Sequence, residues 1–119
     1  KKNKGYRGEA QAAEYLLQQG YRILERNYRC ALGEVDLIAR DGETVVFVEV
    51  KFRTSDRFGP PQAAIGPSKQ KRMTAIALHY LKGKGWLTAP ARFDVAAVSL
   101  DGERETVTLY RNAFDATEI

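Results

Sequence analysis

Apolar and polar residues along the chain follow two kinds of spacing, which predict two helices and five strands. Intervals of three and four between apolar residues are typical of a helix with one buried face. They predict a first helix over residues 6–19 and a second helix over residues 67–82. The apolar stripe of the first helix comprises Tyr6, Ala10, Ala13 and Leu17. That of the second helix comprises Met73, Ile76, Ala77, Tyr80 and Leu81.

Shorter segments rich in β-branched and aromatic residues are predicted as strands. They cover residues 21–28, 34–40, 44–53, 92–100 and 105–110. Asp-Gly pairs at 41–42 and 101–102 are strong hairpin signals. The element order is therefore αβββαββ, and we expect an α/β (α+β) fold with a mixed central sheet flanked by helices. Residues 54–67 are predicted to form a long loop, a kind of segment that is often functional.

Length and composition indicate one ordinary globular domain over residues 1–119. Hydrophobic residues make up 44% of the chain and charged residues 29%, values that exclude a disordered or low-complexity protein. No apolar run is long enough for a membrane helix. The single cysteine, Cys30, cannot form an internal disulfide or a zinc site with a neighbouring cysteine. We therefore expect a cytoplasmic protein in a reducing compartment, with no membrane partner.

The charge of the chain is unevenly distributed and suggests a polyanionic partner. The net charge is +4. Residues 1–30 hold seven basic and three acidic side chains, and residues 49–85 hold eight and two. Between them, residues 31–48 hold one basic and four acidic side chains. Basic segments of this kind favour nucleic acid as a partner, although a solvated surface explains the charge alone equally well.

Two carboxylates and a lysine are predicted to share one face of the sheet. Asp36 lies in the second strand, and Glu49 and Lys51 alternate in the third. A two-residue turn at 41–42 would place Asp36 opposite Phe47, with Glu49 as its diagonal neighbour. A four-residue loop would place Asp36 directly opposite Glu49. In both registers the two carboxylates lie within reach of one cation.

Such a pair of carboxylates is suited to binding a divalent metal ion. Like charges on a half-buried face repel each other, and each is costly to bury alone. Mg²⁺ is usually held by one or two carboxylates and keeps several waters, one of which becomes a better nucleophile. Lys51 can orient that water or hold a phosphate. The alternative is an exposed Glu–Lys ladder, but Glu49 and Lys51 interrupt an apolar run over residues 45–52, which favours a site.

Each predicted helix adds one polar residue that is placed to reach this face. Glu9 falls on the shoulder of the first apolar stripe, although an acidic residue in a first helical turn is favourable in any case. Lys69 falls on the stripe of the second helix, at the end where the helix dipole disfavours a cation. We expect Lys69 to point into the site and contact phosphate. The alternative is a lysine that snorkels at the edge of the core.

These residues resemble a known pattern. An acidic residue in a first helix, an Asp in a second strand and Glu-x-Lys in a third look like the PD-(D/E)xK nuclease superfamily. Over nearly the whole chain, six ordered blocks resemble more narrowly the bacterial YraN-like family. The blocks are GYRGE at 5–9, GEVDLI at 33–38, FVEVKFR at 47–53, SKQ at 68–70, RFDV at 92–95 and NAF at 112–114.

The resemblance implies a restriction-endonuclease-like αβββαβ core, similar to archaeal Holliday-junction resolvases, with a nuclease site dependent on Mg²⁺ or, alternatively, Mn²⁺. Its catalytic set would be Glu9, Asp36, Glu49 and Lys51. The metal would be held by Asp36, Glu49 and the backbone carbonyl of Val50. We expect an endonuclease that hydrolyses phosphodiester bonds in DNA, including branched DNA.

The expected partner is nucleic acid, bound mainly through its backbone phosphates. The residues expected to contact it are Arg53, Arg57, Lys69 and Arg72. A junction substrate would call for a homodimer, because two symmetric cuts need two sites. The alternatives are a nucleic-acid-binding module that keeps the nuclease fold with little turnover, and an RNA-directed nuclease. No stacking motif like that of an RNA-recognition sheet supports the latter.

Overall fold

The fold is a mixed five-stranded sheet with a helix packed on each face. The computed structural model describes residues 4–53, 65–101 and 103–117. The described elements, in chain order, are α1 (Lys4–Gln18), β1 (Arg22–Cys30), β2 (Gly33–Asp41), β3 (Thr44–Arg53), α2 (Pro67–Lys84), β4 (Ala91–Asp101) and β5 (Arg104–Phe114). Strand order in the sheet follows chain order. Only the β3–β4 pair among these described strands is parallel, and it is joined through α2.

This architecture confirms the predicted fold class, a mixed α/β (α+β) fold with the αβββαβ order of a restriction-endonuclease-like core. Some element ends differ from the prediction. Gly83 lies inside α2, because the left-handed cap is Gly85, whose φ is 76° and whose N–H bonds the last helical carbonyls. Most of the predicted loop over residues 54–67 lies outside the described residues. No helix of the part of the chain described is long and apolar enough to cross a membrane.

The predicted apolar stripe of α1 is confirmed at Ala13 but is rotated elsewhere. Ala10 and Leu17 are exposed, and the side chain of Tyr6 lies outside the described residues. The residues that α1 buries are Ala12, Ala13 and Leu16. The small side chains on this face let the helix lie close to the sheet, where a Cβ added to Gly8 would come within 3.2 Å of the Phe52 ring. The rotation also aligns Glu9 with the buried face, three and four residues before its alanines.

The predicted stripe of α2 is confirmed, and this helix covers the opposite face with larger side chains. We call this the α2 cluster; its members include Val35, Phe47, Met73, Ile76, Tyr80, Phe93 and Phe114. The α1 cluster includes Ala12, Ala13, Leu16, Leu37, Ala39, Val46, Val48 and Ala96. The two clusters fix the faces of β3, because its residues alternate between them. Glu49 and Lys51 continue the alternation of Phe47 and therefore face α2.

The β2–β3 hairpin closes one residue later than the Asp-Gly signal alone indicates. Asp41 pairs with Thr44, which leaves Gly42 and Glu43 as the turn. The predicted register with a turn at 41–42, which sets Asp36 opposite Phe47, is therefore wrong. Gly42 has a φ of 63°, and a glycine with positive φ in the first turn position is what a type II′ hairpin requires.

Candidate active site

The predicted carboxylates lie where β2 and β3 separate. The paired positions of the two strands end at Leu37 and Val48, and continuing this register sets Asp36 opposite Glu49. This is the second of the two predicted registers. Beyond that point, the backbone N–H of Val50 donates to Oδ2 of Asp36 at 2.8 Å. The Asp36 carboxylate thus lies between the diverging strands and is held by the backbone of β3.

Near this separation, the side chains of β1 and β2 also change the face of the sheet to which they point. Val35 belongs to the α2 cluster and Leu37 to the α1 cluster, although regular alternation would put both on one face. The register of β1 with β2 places Asn27 across from Asp36, and Asn27 has a φ of 52°. A left-handed asparagine inside a strand is uncommon and twists the strand locally. Asp36 therefore lies at the twist, within the influence of residues from both helices.

Glu49 is buried and faces two lysines. Its exposed fraction is 5%, which argues against an exposed Glu–Lys ladder. Its Oε2 atom lies 2.9 Å from Nζ of Lys69 and 3.8 Å from Nζ of Lys51. Lys69, in the first turn of α2, thus points to the site as expected. Both lysines are about one-third exposed, so they reach the carboxylate from the solvent side.

The electrostatics of the site disfavour the ionised forms of Asp36 and Glu49, chiefly because of burial. Burial raises the pKa of Asp36 to about 6; the Val50 N–H opposes this, and the charge of Glu9 adds to it. Burial and the charge of Asp36 also raise the pKa of Glu49, against the lowering effect of Lys69 and Lys51. The neighbouring lysines therefore do not fully offset burial and the mutual repulsion of the acidic groups. A further cation at the site would favour the ionised forms.

The donor set fits a hard divalent cation held by few protein ligands. Asp36 and Glu49 supply carboxylate oxygens from adjacent strands, and Mg²⁺ is commonly bound through one or two carboxylates with water completing its shell. Within the described part of the chain, no three Asp, Glu, His or Cys side chains form a group arranged to hold a metal ion. Glu9 raises the pKa of Asp36 through its charge and a side-chain hydrogen bond. The carbonyl of Val50 as a ligand stays a prediction.

Two of the four predicted phosphate contacts lie along the first turns of α2. Lys69 contacts Glu49, and Arg72 lies one turn later with its side chain exposed. The stem of Arg72 packs over Gly33, where an added Cβ would approach its Cδ to 3.0 Å. The side chain of Arg53 and the whole of Arg57 lie outside the residues that the structure describes.

Sequence reasoning missed two residues that flank the site on β1. A cavity of about 90 Å³ lies next to the site, and its lining includes Glu9. The lining residues are Glu9, Ala10, Arg26, Asn27 and Leu37. The available signal was Asn27 itself, because asparagine is a poor strand residue and tolerates the left-handed conformation. The spacing rules used for strands cannot reveal Arg26, since they assume regular alternation.

Close relatives match the chain over most of its length. A protein of Syntrophus aciditrophicus is 56% identical over 111 residues, which cover 93% of this chain and 87% of the relative. One of Geobacter metallireducens is 46% identical over 114 residues, or 96% of this chain and 93% of the relative. Both carry the name UPF0102 protein.

Among solved structures, the chain is similar to Pyrococcus furiosus SfsA in complex with Ca²⁺, with a TM-score of 0.39 and 17% identity. The match covers 87% of this chain and spans 60% of the length of that protein. A family model described as "Uncharacterised protein family UPF0102" matches residues 8–98. Together with the relatives, this match confirms the YraN-like family that the motif blocks predicted. The chain belongs to the UPF0102 family.

Proposed function

We propose that the chain is a metal-dependent endonuclease that hydrolyses phosphodiester bonds in DNA, including branched DNA. The observation that carries this proposal is the convergence of a buried carboxylate, Glu49, a half-buried one, Asp36, and two lysines where β2 and β3 separate. Asp36 and Glu49 both have a raised pKa, and Lys51 and Lys69 both face Glu49. Negative charge that exceeds its protein partners, next to flexible cations, suits a site for a metal ion and a phosphate.

Each side chain has a role that follows from its place. Asp36 and Glu49 would hold Mg²⁺ or Mn²⁺, which when bound supplies a Lewis acid and an activated water. The Val50 N–H fixes the orientation of the Asp36 carboxylate through its 2.8 Å bond. Lys51 would donate a hydrogen bond to the attacking water or to a phosphate oxygen. Glu9, on the α1 side of Asp36, would hold water at the edge of the site.

The proposed substrate contacts are electrostatic and do not read sequence. Lys69 and Arg72 lie one helical turn apart along α2 and would bind successive backbone phosphates. Arg53 and Arg57 are proposed to extend this contact. With four such cations, the logarithm of the affinity for duplex DNA should fall linearly with the logarithm of the salt concentration. The expected slope is about −3 to −4. If the substrate is a four-way junction, we propose a homodimer, since two symmetric cuts need two sites.

A second candidate is a nucleic-acid-binding module with little or no turnover. The observation that favours it is the lack, among the described residues, of a metal-binding group with three acidic, histidine or cysteine side chains. In that case Lys51 and Lys69 would bind phosphate, and Glu49 would only hold the lysines in place. An RNA-directed nuclease would share the geometry of the first candidate and differ in substrate.

The test is a cleavage assay on a labelled four-way junction, duplex DNA, single-stranded DNA and RNA, each with Mg²⁺, Mn²⁺ or EDTA. Glu49→Ala and Lys51→Ala are compared with Lys71→Ala, an exposed lysine of α2 that serves as the matched control. We expect metal-dependent cuts in DNA that both site variants lose and the control keeps. Binding without cleavage, unchanged in Glu49→Ala, would support the binding module. Cleavage of RNA alone would identify the third alternative.

A further inference from the structure

Lys69 forms an ion pair with the Glu49 carboxylate, which a metal ion would also need as a ligand. Its ammonium group lies 2.9 Å from Oε2 of Glu49, closer than that of Lys51 at 3.8 Å. A cation at the Asp36–Glu49 pair would have to share Glu49 with this ammonium group. Two cations on one carboxylate repel each other, so the two occupants compete.

The position of Lys69 in α2 explains why it turns to Glu49. The first turn of α2 has no acidic residue, and its N-cap, Gly66, makes no side-chain hydrogen bond. The positive end of the helix dipole and the Lys69 charge therefore meet without an acidic partner in the helix. Glu49 supplies that partner from β3. The contact thus stabilises the start of the helix as well as the buried carboxylate.

The two lysines differ in the element that carries them. Lys51 lies within β3, where it is paired with Ala97 of β4. Lys69 lies at the end of a helix and has an exposed fraction of 36% for its side chain. A lysine side chain has a flexible four-carbon stem and rotatable donors. Its ammonium group can leave Glu49 without any change in the backbone.

We propose that Lys69 is a placeholder cation: it holds Glu49 in place when no metal is bound, and metal binding releases it to a backbone phosphate of the substrate. The inference rests on the proposed function. It makes Lys69 a positioning residue for Glu49 before substrate binds and a phosphate contact afterwards. Arg72, one turn along α2, would take the next phosphate.

The first test measures metal binding without any substrate. Mn²⁺ alone is titrated into the full chain, and the unbound ion is counted by electron paramagnetic resonance. Lys69→Met keeps the aliphatic stem and removes the charge; Lys71→Met is the matched control, and Glu49→Gln reports whether the ion binds at this site. We expect Lys69→Met to tighten Mn²⁺ binding about threefold to tenfold, since it removes one cation from the shared carboxylate. We expect no change in Lys71→Met.

The outcomes separate the inference from the proposed function. Unchanged or weaker Mn²⁺ binding in Lys69→Met, with binding that Glu49→Gln abolishes, would overturn the placeholder and leave the metal site standing. Mn²⁺ binding that Glu49→Gln does not affect would overturn both.

A second test asks where Lys69 goes once it is released. Binding of a fluorescent duplex is measured by anisotropy in Ca²⁺ and in EDTA for the wild type, Lys69→Met and Lys69→Arg. We expect Lys69→Met to lose severalfold in affinity with Ca²⁺ and to change little in EDTA, while Lys69→Arg keeps most of the wild-type affinity. An equal loss under both conditions would show that Lys69 contacts the duplex regardless of metal, which contradicts the release.

Discussion

Two buried carboxylates at opposite faces of the sheet differ in what surrounds them. Asp94, on the α1 side of β4, is fully buried. It accepts hydrogen bonds from Nε of Arg92 at 3.1 Å and from the backbone N–H of Asn112 at 2.9 Å. Glu49, on the α2 side of β3, is nearly as buried but faces two flexible lysines and the charge of Asp36.

The two carboxylates differ in the kind of donor more than in burial, and this is the difference we expect between a structural carboxylate and the one assigned a function in our proposal. A guanidinium group and a backbone N–H are rigid donors, and their hydrogen bonds hold the Asp94 carboxylate in place. The Arg92 guanidinium is itself held by Asp41 and by the Tyr21 hydroxyl. Lysines are mobile point charges, and at Glu49 they leave an excess of negative charge. Under the proposed function, a ligand that brings positive charge is expected at Glu49 and not at Asp94.

The largest expected effect comes from removing the charge of Asp94. Asp94→Asn removes the buried one of the two carboxylates that pair with Arg92, leaving Asp41, and should lower the free energy of unfolding by about 3 kcal/mol. Glu49→Gln is the matched substitution at the other carboxylate and should change stability little in EDTA, because lost repulsion with Asp36 offsets the lost contact with Lys69. Urea unfolding at pH 7.5 measures both variants. Equal losses in the two variants would contradict the distinction between the sites.

The next effect concerns pH and the excess charge. Because the pKa of Asp36 is raised to about 6, the folded state binds more protons than the unfolded state between that value and the ordinary 3.8. Stability from this group is therefore lost as the pH rises toward 6. In EDTA, Asp36→Asn should raise the free energy of unfolding by roughly 1–3 kcal/mol at pH 8. The gain should vanish near pH 4; a gain independent of pH would speak against the raised pKa.

A smaller effect concerns the backbone beside each carboxylate. Asn27 lies across from Asp36 and Asn112 donates its N–H to Asp94, and both have left-handed backbones, with φ of 52° and 54°. Alanine at either position should cost about 1 kcal/mol of unfolding free energy, and glycine about half of that or less. Thermal unfolding compares the four variants. If Asn27→Gly cost as much as Asn27→Ala, the amide side chain rather than the backbone would shape the site.

The smallest effect comes from an exposed carboxylate. Glu34 pairs with Arg29 at 2.9 Å, but the two side chains are 58% and 77% exposed. Glu34→Gln should change the free energy of unfolding by no more than about 0.5 kcal/mol at 0.15 M salt. This variant sets the baseline for the comparison in the same urea titration. A loss as large as that of Asp94→Asn would mean that burial does not decide the strength of these pairs.

The sequence was most informative where local rules decide the structure. The alternation of Glu49 and Lys51 in an apolar strand predicted their shared face, and the α2 stripe predicted the direction of Lys69. The rotation of α1 could not be predicted, because it depends on how closely small residues such as Gly8 approach the sheet. The facing of Asp36 also depends on Asn27, a residue of another strand, and on the point where two strands separate. Such features are set by tertiary contacts rather than by spacing.

The same separation of β2 and β3 has a consequence for the order in which the chain assembles. Asp36 and Val50 are 14 residues apart, within one hairpin, and pairings of such short range form early and fast. Lys69 arrives only when α2 docks and the parallel β3–β4 pair forms, which closes a longer loop. The acidic pair and Lys51 are therefore brought together before Lys69 arrives. During folding the hairpin holds two carboxylates with one lysine, and the docking of α2 is the step that adds the second.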